Sequence, residues 1–126
     1  MGTICFVILN YKTWREAAAC AESILKTQQG QDIRIVLVDN GSGNGSEESL
    51  REEFAGEKRV HVIASEKNLG FARGNNLGIR YARSHFEPDF IVAANSDIIF
   101  EQEDYCEKLR EIYKDCLLYT SPSPRD

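Results

Sequence analysis

Apolar residues along this chain fall into two kinds of pattern. "TICFVIL" (3–9) is a continuous apolar run rich in β-branched residues, the signature of a strand covered on both faces, and "IRIVLVD" (33–39) reads as a second buried strand, ending in Asp39. "RVHVIAS" (59–65) alternates and "DFIVAAN" (89–95) is again nearly continuous, which predicts a third and a fourth strand. Between them the period changes to three or four. Trp14, Ala17 or Ala18, Ala21, and Ile24 or Leu25 predict a helix to about Thr27. Thr13-Trp14-Arg15-Glu16 reads as its capping box, Thr13 accepting from the N3 amide while Glu16 reaches back. Ser46 is the expected N-cap of a short helix with Glu47 and Glu48 in its first turn and a Leu50–Phe54 pair before Gly56. Residues 68–86 suit a loop and then a helix with Ile79, Ala82 and Phe86 on one side. "DIIF" (97–100) predicts a short extended piece. Tyr105, Leu109, Ile112 and Cys116 then form the apolar stripe of a last amphipathic helix.

Alternation of strand and helix with fully apolar strands implies βαβ units, hence an α/β fold with a mostly parallel, Rossmann-like sheet flanked by helices. At 126 residues the chain is expected to be one domain with a real core. It divides into residues 1–116, which carry the elements, and residues 117–126, an irregular and non-native-looking tail with two Ser-Pro steps. The net charge of −5 argues against a broad nucleic-acid face but not against a local site for one phosphorylated small molecule. Cys5, Cys20, Cys106 and Cys116 show no C-x-x-C pair or metal-ligand spacing and read as reduced, partly buried thiols. "ICFVIL" lacks a basic flank and is too short for a signal peptide or membrane span. Met1-Gly2 begins like a myristoylation signal, but Phe6 stands where Ser or Thr is needed. The expected location is therefore the cytoplasm.

The polar residues change the picture from fold to site. In an open parallel sheet, ligands bind outside the carboxyl ends of the strands. Asn10 and Tyr11 follow the first strand, Asp39 and Asn40 the second, Lys67 and Asn68 the third, and Asn95 to Asp97 the fourth. Each has a plainer reading. Asp39-Asn40-Gly41 suits a turn, and the glycines of "NGSGNG" suit a flexible loop, since neither G-x-G-x-x-G nor a Walker pattern is present. Tyr11 suits an ordinary half-buried aromatic, and Arg73, Arg80 and Arg83 a solvated helix face. Asn95-Ser96-Asp97 is harder to explain as a surface turn, because strongly apolar residues flank it on both sides. Hard cations such as Mg2+ and Mn2+ take oxygen ligands, often one or two carboxylates completed by phosphate and water. Asp97 is the expected ligand, with Asn95 holding a water or sugar hydroxyl.

Together, "VILNYKTW", "VLVDNGSGNGS", "NLGFARGNNLGI" and "FIVAANSDIIF" resemble the nucleotide-sugar-binding half of family 2 glycosyltransferases, in the order that family shows them. The "NLGFA-x-GNN" stretch is nearest the rhamnosyltransferase-like branch. The resemblance implies a GT-A fold and an inverting, metal-dependent transfer from a nucleotide-diphospho-sugar, UDP- or dTDP-linked, to a glycan or lipid-linked acceptor. It implies that Asn10 and Tyr11 flank base and ribose, that Asp39 hydrogen-bonds a pyrimidine base, and that Gly70 lets the backbone pass close to the nucleotide. Asn68, Arg73, Asn75 and Asn95 complete the expected nucleotide-sugar contacts. "NSD" occupies the place of the D-x-D motif, with Asp97 holding Mn2+ or Mg2+. Three departures stand out. Asn95 replaces the first Asp, Asn75 stands where many members have Arg, and family enzymes are considerably longer. The acceptor half and the catalytic base are expected beyond residue 126, leaving this chain a donor binder without efficient turnover. The longer enzyme is expected in the cytoplasm, at the inner face of the membrane. A sugar-nucleotide nucleotidyltransferase is disfavoured by "NYKTWRE" where a Gly-rich basic loop belongs. A receiver-like signalling module is disfavoured by non-acidic Asn10 and Tyr11.

Overall fold

The computed structural model describes residues 3–113. Its elements run β1 (Ile4–Asn10), α1 (Trp14–Thr27), β2 (Ile33–Asn40), α2 (Ser46–Glu53), β3 (Val60–Ser65), α3 (Phe71–Phe86), β4 (Phe90–Asn95) and α4 (Tyr105–Tyr113). All four strands pair in parallel in the order β3-β2-β1-β4. The apolar runs follow from this arrangement. Ile4, Phe6, Ile8, Ile33, Ile35 and Leu37 point to one face and pack under α1, α2 and α4. The alternate residues Cys5, Val7, Val36 and Val38 point to the other face and pack under α3. With both faces covered, neither side of β1 or β2 needs polar residues; each fully buried aliphatic or Phe side chain contributes about 1.5–3 kcal/mol.

On its own face α3 lies unusually close to the sheet because it carries glycine where it crosses. A Cβ at Gly78 would sit 2.5 Å from Val7 Cγ1 and 2.8 Å from Val38 Cγ2. Gly78→Ala is expected to lower unfolding free energy by about 1–2 kcal/mol, the overpacking cost outweighing the better helix propensity of alanine. Urea denaturation would show this as a lower midpoint with unchanged slope.

Several local expectations are corrected. Thr13 precedes α1, but its side chain makes no cap bond. Glu16 and Ala17 amides go to the Thr13 carbonyl, and the Thr13 amide goes to Asn10 Oδ1 at 3.2 Å. Gly45, in the left-handed region at φ 86°, is the N-cap of α2; Ser46 is its first residue and is buried, donating to Asn44 Oδ1 at 2.6 Å. β3 does not alternate cleanly, since most of it is half-buried at the sheet edge. Residues 98–100 form no strand. Ile98 and Ile99 are exposed, and Phe100 turns inward to meet Phe6 and Tyr105 edge-on at 5.5 and 5.2 Å.

Cys5, Cys20 and Cys106 are free and buried. Burial pushes the Cys5 and Cys20 thiols up to about 12 and Cys106 to about 11, with the Asp97 charge adding to the rise at Cys20. Cys116 and the tail 117–126 lie outside the described residues, as does the side chain of Ile112.

Candidate functional site

The carboxyl ends of β1, β2 and β4 are adjacent, so the sheet itself assembles the site. Asn10 of β1 stands opposite Asp39 of β2, and Leu9 stands opposite Asn95 of β4. With two strand spacings between them, β2 and β4 end about 10 Å apart.

Asp39 is the best-fixed member. It is 4% exposed, and its Oδ1 accepts from Asn10 Nδ2 at 2.9 Å and from Ser42 Oγ at 2.5 Å. Ser42 Oγ in turn accepts from the Lys12 amide at 2.7 Å, which ties the loop after β1 to the loop after β2. Lys12 has φ 66°, a left-handed conformation that this bond helps to hold. Asn10 is fully buried, its amide committed to Asp39 and its carbonyl oxygen to the Thr13 amide. It therefore braces Asp39 from within. Asp39 lines a cavity of about 470 Å³ with Gly41, Ser46 and the acidic Glu47, Glu48 and Glu66.

The second cavity, about 320 Å³, opens on the β1–β4 side between Tyr11, Thr13, Glu16, Phe71, Asn95 and Asp97. Tyr11 is 41% exposed and Phe71 66%, large apolar surfaces left uncovered at the mouth. Ser96 and Asp97 do form a turn, closed by the Ile98 amide donating to the Asn95 carbonyl at 3.1 Å. That turn is anchored to α1: Cys20 Sγ reaches the Asn95 carbonyl at 3.7 Å, and the Phe100 amide donates to Ser23 Oγ at 2.8 Å. The turn and metal readings are thus compatible, since a rigid turn presents Asp97 outward. Asp97 is exposed and, among the described residues, makes no ion pair. No group of three or more His, Cys, Asp or Glu able to hold a metal occurs among the described residues. One free carboxylate beside an open cavity still fits Mg2+ or Mn2+, whose remaining positions go to phosphate and water.

The other expected site residues are placed less directly. Asn68 accepts from Asn40 Nδ2 at 3.1 Å and from the Gly70 amide at 2.8 Å, fixing the loop that leads into α3. Gly70 starts α3 at φ 89°, with open space where a Cβ would stand. Gly41, by contrast, is held against the backbone of Lys67 and Asn68. Arg73 lines a separate recess with Leu69, Asn76, Leu77 and Arg80. Asn75 is buried, and its Oδ1 has no hydrogen-bond partner among the described residues.

Of two further residues that organise the site, Ser42 escaped the sequence reading, and Asn40 was placed at its strand end but given no role. Ser42 had a local signal, its place three residues after Asp39 in a loop that otherwise reads as flexible. Asn40 reads as a turn residue but is 2% exposed and holds the following loop, accepting from the Leu69 amide at 3.0 Å and donating to the Gly70 carbonyl at 3.2 Å.

Residues 5–123 match the profile of the family described as Glycosyl transferase family 2. Glycosyltransferase GlyG of Streptococcus pneumoniae is 34% identical over 99 residues, 79% of this chain and 31% of that protein. The low-salt glycan biosynthesis hexosyltransferase Agl10 of Haloferax volcanii is 28% identical over 90% of this chain and 32% of its own length. Among solved structures, S. aureus TarS 1-349 superposes with a TM-score of 0.71 at 16% identity, covering 90% of this chain and 32% of that one. The mannosyltransferase PcManGT of Pyrobaculum calidifontis, solved with GDP-Man and Mn2+, superposes with 0.75 at 14% identity, covering 91% and 33%. The chain therefore spans about a third of the length of the proteins it matches.

Proposed function

Because this chain belongs to glycosyltransferase family 2 and carries its GT-A fold, we propose that residues 1–116 form the donor-binding half of a metal-dependent, inverting glycosyltransferase. The donor is a nucleotide-diphospho-sugar, UDP- or dTDP-linked, and the acceptor of the whole protein is a glycan or lipid-linked hydroxyl. One observation carries the reading: parallel pairing sets Asp39 and Asp97 on one sheet edge, two strands apart, each lining its own cavity. The solved neighbours support a nucleotide-sugar donor, one being in complex with UDP-GlcNAc and another with GDP-Man and Mn2+.

The base fits against Asp39, whose carboxylate is an acceptor for a ring N–H. The acid-lined cavity around it repels phosphate, so the diphosphate runs the other way, across the end of β1 toward Asp97. A divalent cation held there supplies Lewis-acid stabilisation of the departing nucleoside diphosphate. Tyr11 and Phe71 offer exposed ring faces at the mouth, where base or sugar can stack. No described carboxylate is assigned as the base that deprotonates the acceptor. The free, buried cysteines fit a reducing, cytoplasmic setting, and among the described residues no helix is long and apolar enough to cross a membrane.

Calorimetric titration of UDP and dTDP into the folded chain, with and without Mn2+, tests this. Saturable binding that Mn2+ strengthens by about tenfold or more is expected. A cooperatively folded chain that binds neither nucleotide in the presence of Mn2+ overturns the proposal.

A further inference from the structure

The bonds that fix Asp39 also leave it only one usable oxygen. Oδ1 has two lone-pair directions, and both are taken, one by Ser42 Oγ–H at 2.5 Å and one by Asn10 Nδ2–H at 2.9 Å. Among the described residues no donor reaches Oδ2, and Asp39 lines the 470 Å³ cavity. Asp39, Asn10 and Ser42 are each more than nine-tenths buried, so the carboxylate cannot swing to exchange its oxygens without breaking both of its hydrogen bonds.

Resting on the nucleotide-sugar reading above, we infer that Ser42 is a positioning residue that sets base selectivity, holding Asp39 as a single acceptor that takes the one imide N–H of uracil or thymine and discriminates against guanine. Guanine offers two parallel N–H groups, from the ring nitrogen and the exocyclic amine, spaced to meet both oxygens of a free carboxylate. Against Asp39 one of them would face an oxygen already filled, and a donor buried without an acceptor is costly. Uracil and thymine place a single N–H between two carbonyl groups and ask for Oδ2 alone. Cytosine presents a ring-nitrogen lone pair at that position and is repelled. Ser42 decides the matter because it supplies the O–H on Oδ1 while its own oxygen is held by the Lys12 amide, which fixes the direction of that proton.

The test measures UDP, dTDP and GDP binding with Mn2+ to the wild type, Ser42→Ala and Ser42→Thr. The wild type should favour UDP and dTDP over GDP by about tenfold or more. Ser42→Ala, which opens a lone pair on Oδ1, should narrow that ratio to within about threefold, chiefly by gaining affinity for GDP. Ser42→Thr keeps the hydroxyl and should restore the preference. A merely structural serine would weaken all three nucleotides together and leave their ratio unchanged, and that result overturns the role of Ser42. Equal binding of UDP and GDP by the wild type overturns the single-acceptor inference while leaving the nucleotide reading intact, even if Ser42→Ala does not fold. Failure of the wild type to bind any of the three removes the nucleotide reading and this inference with it.

Discussion

Asp97→Ala is expected to lower Mn2+-dependent UDP binding by about 100-fold, to the level the wild type shows without metal, while shifting the melting temperature by no more than about 2 °C. The two halves of this expectation come from the same feature. Asp97 sits in a turn whose stability rests on its neighbours: the Asn95 carbonyl takes the Ile98 amide and the Cys20 thiol, and Ser23 takes the Phe100 amide. The Asp97 side chain is exposed and makes no ion pair among the described residues, so its removal leaves the fold within the range of ordinary surface substitutions. For a cation the loss is large. Asn95 offers only a neutral amide where a second carboxylate is usual, which concentrates the protein's share of the charge in Asp97. Calorimetry with and without Mn2+, paired with a thermal melt, separates the effects. Undiminished metal-dependent binding by a folded Asp97→Ala protein would show that "NSD" is a turn and nothing more.

The sheet could be read from sequence because burial on both faces makes its central strands almost wholly apolar, as Ile4 to Leu9 and Ile33 to Val38 show, with Arg34 the one charged residue between those bounds. The same logic failed at Ile98 to Phe100. An apolar run of that length does not say whether its partners are neighbouring strands or side chains, and here Phe100 packs on Phe6 and Tyr105 without any ladder. The cap at Thr13 was misread for a different reason. The Asn10 carboxamide, placed by β1, captures the Thr13 amide, and no local motif encodes that competition. In the site, Asp39 and Asp97 stand at the strand ends where sequence put them. What sequence hid was how they are held. Asn10, expected to flank base and ribose, also braces a carboxylate, because only the β1–β2 register brings it opposite Asp39. Ser42 and Asn40 act through partners as distant as Lys12 and Leu69, and such contacts exist only once the parallel sheet has formed.

Gly41→Ala is expected to be the most damaging conservative change at the site, costing about 3–5 kcal/mol and lowering the melting temperature by about 12 °C or more. Gly41 adopts φ 71°, and a Cβ there would lie 2.2 Å from the Lys67 carbonyl carbon and 2.3 Å from the Asn68 nitrogen. Both obstacles are backbone, so no rotamer change relieves the clash and the two loops must part. Parting them breaks the Asn40 bonds to Asn68, Leu69 and Gly70, stranding a carboxamide that is almost fully buried. Gly43→Ala is the matched control. Its φ is 68°, nearly the same, but nothing lies within 4 Å of its Cβ position, so only the backbone strain of about 1 kcal/mol should be felt. Thermal melts of both variants therefore divide conformational strain from contact. A Gly41→Ala protein no less stable than Gly43→Ala would mean that the loops after β2 and β3 separate freely. The carboxylate of Asp39, two residues before that contact, would then lose the rigid setting on which the proposed base recognition rests.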